Sequence, residues 1–273
     1  VGRFTGKVVI VTGSTQGLGE GIALRFAKEG ARVVINGRSR AKGEAVMAKL
    51  HAIGADALFL PADLSNKPSA QTVVSDAATH FGRVDILVNN AQAQTPHIET
   101  LDPANDGHFE STMRSGLYAS LWTAQAAFPH MRAAGAGRVI NFASTNGVFG
   151  AKYGAAYNAC KEAIQALTRT LANEWGQYGI TVNTVLPSGM SPSYAAFFEG
   201  DPKRAEASAN AIPLRRHGRA EEDIGAAIAG LCSDSGSFIT GQALFIDGGQ
   251  SLLGMPQLHT LGYDPHRAAG AHG

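Results

Sequence analysis

Tyr157-Asn158-Ala159-Cys160-Lys161 sets a phenol and an ammonium one helical turn apart. The helical pattern they open continues through Ala163, Ile164, Leu167 and Leu171. Positions i and i+4 of a helix share a face, so Tyr157 and Lys161 point the same way. An ammonium beside a phenol stabilises the phenolate, which suits the pair to general acid or base work. Alone, this spacing is common in helices and says little. A second signal lies upstream, where the run Lys7–Thr12 leads into Gly13-Ser14-Thr15-Gln16-Gly17-Leu18-Gly19 and then an amphipathic helix. Glycines let the backbone turn tightly and approach a ligand closely, and a helix N-terminus offers free N–H groups to an anion. The strand, glycine turn and helix come in the order that makes such a motif meaningful. The spacing is GxxxGxG and not GxGxxG, so on this segment alone an ordinary strand-to-helix turn stays open.

The end of the next β-branched run refines that signal. A dinucleotide site usually carries an acid there, about 20 residues past the glycines, for the 2′-hydroxyl of an NAD ribose. Here the chain reads Asn36-Gly37-Arg38-Ser39-Arg40, with no acid before Glu44. Arg38 stands where a guanidinium clamps a 2′-phosphate instead. The expected cofactor is therefore NADP(H), with NAD(H) as the alternative.

Two periods alternate along the chain and supply the elements these residues need. Short β-branched runs recur at Lys7–Thr12, Ala31–Asn36, Ala57–Leu60, Val84–Asn90, Arg138–Phe142, Ile180–Leu186 and Ala243–Ile246. Helical segments such as Gly17–Gly30, Ala41–Ile53 and Ser69–Phe81 separate them. Strands joined by helical crossovers predict right-handed βαβ units and an α/β, doubly wound parallel sheet of about seven strands, covered on both faces. No internal repeat or composition shift marks a second domain, so residues 1–249 are expected to form one unit. The segment 187–217 holds Pro187, Pro192, Pro202 and Pro213 and an aromatic cluster, and a stretch this long reads as a lid. Residues 250–273 form a C-terminal extension whose His259, His266 and His272 lack metal-ligand spacing.

Composition removes other classes. The 273 residues are 44% apolar and 16% charged, and 23 basic against 22 acidic side chains leave a formal +1 spread along the chain. That excludes an electrostatic nucleic-acid binder. The aliphatic run Val8-Val9-Ile10-Val11 is far shorter than the ~18 residues of a membrane helix and shorter than the ~7–15 of a signal core. Cys160 and Cys232 form neither CxxC nor metal spacing. A soluble cytoplasmic protein is expected.

The motifs also occur in a telling order: Thr12-Gly13-(x)3-Gly17-x-Gly19, Asn89-Asn90-Ala91, Ser144, Tyr157-(x)3-Lys161 and Asp247-Gly248-Gly249. From about Phe4 to Gly249 the chain resembles the short-chain dehydrogenase/reductase family, its 3-oxoacyl reductase-like members among them. The resemblance implies that Ser144 orients a substrate carbonyl, Tyr157 exchanges the proton, and Lys161 binds the nicotinamide ribose and tunes Tyr157. It places the glycine turn on the phosphates, Ser39 beside Arg38, and Asp63 with Leu64 at the adenine. Asn90 and Ala91 would line the groove, with Pro187, Ser188 and Met190 at its far end; Asn89 would mainly hold its strand.

Three departures stand out. The family's Asn-Asn-Ala-Gly is here Asn89-Asn90-Ala91-Gln92. Its asparagine in the middle helix would fall at Ser115 or Gly116. Its Pro-Gly after strand six is Pro187-Ser188, with Pro192 near the expected threonine, so Ser188, Ser191 or Ser193 would supply the missing hydroxyl. The implied reaction interconverts a ketone or aldehyde and an alcohol. The alternatives are a non-catalytic NADP-binding or regulatory protein, and a non-redox lyase or epimerase. A small carbonyl or alcohol substrate with an apolar or aromatic part would meet Phe149, Tyr153, Met190, Tyr194, Phe197 and Phe198. Gln92, Gln94 and Asn146 would be its polar contacts. The resemblance also implies a homotetramer or dimer formed through the segments Phe109–Met131 and Ala156–Gln177, whose alanines and leucines suit close helix packing.

Overall fold

The structure, a computed structural model, describes residues 2–93, 106–190, 195 and 200–253. All seven expected strands form: β1 (Val8–Val11), β2 (Arg32–Gly37), β3 (Ala57–Pro61), β4 (Ile86–Asn89), β5 (Gly137–Phe142), β6 (Ile180–Pro187) and β7 (Ala243–Ile246). They pair in parallel in the order β3-β2-β1-β4-β5-β6-β7. β4 starts at Ile86 and not at Val84. The Asp85 carboxylate just before it turns back to accept the Val8 N–H at 2.9 Å and ion-pairs with Arg83 and Lys7.

Alternate strand residues feed two cores. Val9, Val11, Val33 and Ile35 pack against α1 (Gly17–Lys28), α2 (Arg40–Ala52) and the helix Ala226–Cys232. Val8, Ile10, Val34 and Val139 face the other way, toward α3 (Lys67–Phe81), α5 (Ala119–Ala134) and α7 (Ala155–Trp175). Strands buried on both faces must be apolar at every position, which is why β1 reads Val-Val-Ile-Val and not as an alternation. Each such side chain contributes about 1.5–3 kcal/mol on burial. Strand order reverses between β1 and β4, and parallel sheets open a crevice at the C-terminal ends of the strands at such a point.

Two long segments differ from their sequence reading. The expected helix Phe109–Met131 is α4 (Asp106–Met113), a π-turn Arg114–Tyr118, and α5. The segment 187–217 carries a helix, Pro202–Asn210, whose N-cap Asp201 accepts from the Arg204 N–H. Its ends are stitched together, Gly218 N–H to the Ser188 carbonyl at 3.1 Å and Met190 N–H to the Gly218 carbonyl at 3.2 Å. Gln94, Ser191, Pro192, Ser193, Tyr194, Phe197, Phe198 and the three tail histidines lie outside the described residues. Among the described residues no helix is long and apolar enough to cross a membrane, and no cluster of metal-ligating side chains occurs.

Candidate active site

The crevice is built first from backbone. Gly13 leaves β1 at φ +62°, and a Cβ there would lie 2.8 Å from the Ala91 Cα, so the ends of β1 and β4 touch only because residue 13 has no side chain. Thr12 and Asn90 lock this contact from both sides. Thr12 Oγ1 accepts the N–H groups of Asn90 and Ala91, each at 3.0 Å, and Asn90 Nδ2 donates to the carbonyls of Thr12 and Gly13 at 2.9 and 3.0 Å. Ser14 is fully buried. Its hydroxyl donates to the Val11 carbonyl and accepts the Asn36 N–H, so it braces β1 against β2 and does not face the crevice. Gly17, Leu18 and Gly19 open α1, whose N-cap Gln16 offers no side-chain acceptor to the first-turn N–H groups. Those N–H groups are left for an anion.

A cleft of about 280 Å³ runs along this turn, past Thr15 and Gln16 to Arg38 and Ser39 on one side, Asp63 and Leu64 on another, and Ala91 and Gln92 at the inner end. Arg38 is exposed, with no hydrogen bond or ion pair among the described residues. Ser39 caps α2, accepting from the Lys42 N–H, so its hydroxyl shapes the helix start. Lys42 also lines the cleft, with its ammonium 2.5 Å from Gln16 Oε1. The sequence reading missed it, and the signal was its place in the first turn of α2, one helical turn past Arg38. A bare helix start beside a groove lined by two cations suits an anionic ligand.

Past the end of β5, Lys161 is 3% exposed. Its Nζ donates to the Phe142 carbonyl at the end of β5 at 3.0 Å and lies 5.4 Å from the Tyr157 ring centroid. Ser144, also just beyond β5, caps the short helix α6 (Thr145–Val148) by accepting the Asn146 N–H at 3.2 Å. The structure thus gathers the serine, tyrosine and lysine where β5 meets α7. Beneath them a buried polar string fixes α7 to the sheet. Asn89 donates to Asn141 at 2.9 Å, Asn141 to Thr168 on α7 at 2.9 Å, and Thr184 on β6 donates to the same Thr168 hydroxyl at 2.8 Å. Asn89 therefore holds strands together, as its expected role required.

Gln92 lines the inner end of the cleft with its amide nitrogen engaged within the protein. Its Nε2 donates to the Thr112 carbonyl at 3.2 Å and to Ser115 Oγ at 3.0 Å, and its buried Oε1 has no partner among the described residues. Nearer the mouth, Phe149 is exposed beside the half-buried Asn146, and Tyr153 holds φ +64°, a backbone state rare for a bulky residue. Asn158 ties this loop down by donating to the Ala151 carbonyl at 2.8 Å. Across the mouth Met190 is exposed. The Ser188 hydroxyl donates to Gln250 Oε1 at 2.7 Å, so its proton is already taken within the protein. Pro187, Ser188 and Met190 lie outside the lining of the 280 Å³ cleft. Asp247 closes the Asp-Gly-Gly turn by accepting the N–H groups of Gly249 and Ser251. Burial pushes the Cys160 thiol up against the pull of the Lys161 ammonium, which keeps it protonated and unreactive.

A family model described as Enoyl-(Acyl carrier protein) reductase matches residues 13–251. The 12alpha-hydroxysteroid dehydrogenase of Clostridium sp. is 36% identical over 91% of this chain and 98% of its own. The glucose 1-dehydrogenase of Gluconobacter oxydans is 34% identical over 92% and 94%. Among solved structures, levodione reductase superposes with a TM-score of 0.83 at 31% identity, covering 92% of this chain and 99% of the other. The chain belongs to the short-chain dehydrogenase/reductase family and is an NAD(P)-dependent oxidoreductase with its Rossmann-type fold.

Proposed function

We propose that this enzyme interconverts a ketone or aldehyde and the corresponding alcohol with NADP(H). Tyr157 moves the proton at the carbonyl oxygen, Ser144 holds that oxygen, and Lys161 binds ribose and supports the phenolate. In the reductive direction the phenol gives its proton to the oxygen; in the oxidative direction the phenolate takes it back. The bound nicotinamide supplies the hydride chemistry. The pyrophosphate falls to the start of α1, the adenine to Asp63 and Leu64, and the 2′-phosphate to Arg38 with Lys42. The segment 187–217 covers the substrate as a lid, its substrate side including Met190, and Phe149 and Tyr153 face an apolar or aromatic part of the substrate.

One observation carries this reading: a nearly buried ammonium, tethered to the Phe142 carbonyl, sits 5.4 Å from the Tyr157 ring on the same helix face. The test is product analysis after incubation of a ketone panel with 4-deuterated NADPH. Deuterium on the carbinol carbon is expected, and Tyr157→Phe should remove about 10²–10⁴-fold of the rate with cofactor binding kept. Product formed without cofactor oxidation would overturn the redox reading. The relatives include enzymes named for steroids and sugars, which supports a hydroxylated ring as substrate.

Assembly belongs to the same proposal. α5 and α7 pair with a second copy, giving a dimer or tetramer, and the exposed Phe109 and Tyr118 flank that surface. Light scattering that returned the 28.4 kDa monomer would overturn it.

A further inference from the structure

The departures at Gln92 and at residues 115–116 meet in space. A Cβ on Gly116 would lie 2.4 Å from Gln92 Oε1 and 2.5 Å from Cys160 Sγ, so a side chain at residue 116 would have to push aside the ends of both. Three side chains converge on the Thr112 carbonyl next to it: Gln92 Nε2 at 3.2 Å, Ser115 Oγ at 3.4 Å and Cys160 Sγ at 3.6 Å. Cys160 immediately precedes Lys161 on α7. The Gln92 carboxamide is thus wedged between the cleft wall after β4, the π-turn Arg114–Tyr118 and the helix that carries the tyrosine and lysine. π-turns disturb the helical ladder and often occur at functional sites. Among the described residues the Gln92 Oε1 has no hydrogen-bond partner, which is costly for a buried acceptor.

We propose that Gln92 is a positioning residue: its carboxamide bridges the cleft wall and the π-turn and so sets where Lys161 stands relative to Tyr157 and the cleft. Gly116 is its steric counterpart. This rests on the roles given above to Tyr157 and Lys161.

The deciding substitution is Gln92→Met, which keeps the volume and removes the amide. The expected result is a protein that folds and still binds NADPH, its melting temperature lowered only by the loss of the two amide hydrogen bonds. kcat should fall about ten- to a hundred-fold, as small misplacements of reacting groups do, and the pH profile of kcat should move. Gln92→Gly and Gly116→Asn alone should each lower kcat, and the double variant, which moves the carboxamide to the other side of the same space, should recover part of the loss. A Gln92→Met enzyme with wild-type kcat and pH profile would overturn the proposal. Should that variant fail to fold, additive losses in the Gln92→Gly/Gly116→Asn cycle overturn it and recovery supports it. Tyr157→Phe run alongside separates the two claims. If it abolishes turnover while the residue 92 variants behave as wild type, only the positioning role fails; if it changes nothing, the catalytic assignment itself fails.

Discussion

Lys161 and Phe142 are joined by a 3.0 Å hydrogen bond from the ammonium to the last carbonyl of β5. That bond fixes a long, flexible side chain in a 3% exposed site before any ligand arrives. Preorganised charge needs no rearrangement at the moment of reaction.

Replacing this ammonium with an apolar chain of similar length tests its worth. Lys161→Met should leave the Phe142 carbonyl without its donor and cost about 1–3 kcal/mol of stability. Activity should fall by about 10²–10⁴-fold, because proton transfer at Tyr157 loses its support. Steady-state kinetics with NADPH binding measured in parallel should show both kcat and affinity reduced, and a loss confined to stability would refute the role.

The proposed function gives Arg38 the 2′-phosphate of the cofactor, and this can be tested directly. Arg38→Ala should weaken NADPH by about 1.5–3 kcal/mol, ten- to a hundred-fold, and spare NADH. Lys42→Ala should have a smaller effect in the same direction, since its ammonium is shared with Gln16. An acid at residue 37 looks from sequence like the converse test, but its Cβ would lie 2.5 Å from the Thr15 side chain and disturb the turn itself. Titration of the Arg38 and Lys42 variants with both cofactors is the cleaner measurement.

Gly13→Ala should damage binding and stability together. The alanine would have to hold φ +62° and press on Ala91, and such strain costs on the order of 1–3 kcal/mol. A melting temperature lowered by several degrees with weak NADPH binding is expected; normal values for both would show that the turn can yield.

Stability toward acid should report on Asp85, far from the cleft. Burial alone would raise its carboxyl, but Arg83, the Val8 N–H and Lys7 together outweigh that and hold it below the ordinary 3.8. A carboxylate held low contributes stability that is complete above its unfolded value and is lost as pH falls through the folded one. Melting temperature should therefore drop below about pH 4, and Asp85→Asn should flatten that limb while lowering stability at pH 7. Equal acid limbs in both proteins would refute the assignment.

The strands and the tyrosine–lysine pair were legible because each depends on local period: β-branched runs for a doubly buried sheet, and i, i+4 spacing for a shared face. The glycine turn was legible for the same reason, except that Ser14 inside it serves the sheet. What the sequence hid is contact between distant segments. Nothing local to Gln92 says that it meets Gly116, because the meeting depends on a π-turn and on how α7 packs. Ser188 looked like a ligand hydroxyl until the chain returned with Gln250. Lys42 joins the cleft only because α2 is laid beside it.

The string from Asn89 through Asn141 to Thr168 and Thr184 works as a detent. Apolar packing alone would let a helix rich in alanine creep along its axis, since one small side chain replaces another at little cost. Directional bonds do not tolerate that slip: a shift of one residue would leave several amide and hydroxyl groups stranded in a dry interior. The helix bearing Tyr157 is therefore indexed to the sheet from below, independently of the loops at the mouth. A change confined to those loops leaves this register between helix and sheet in place.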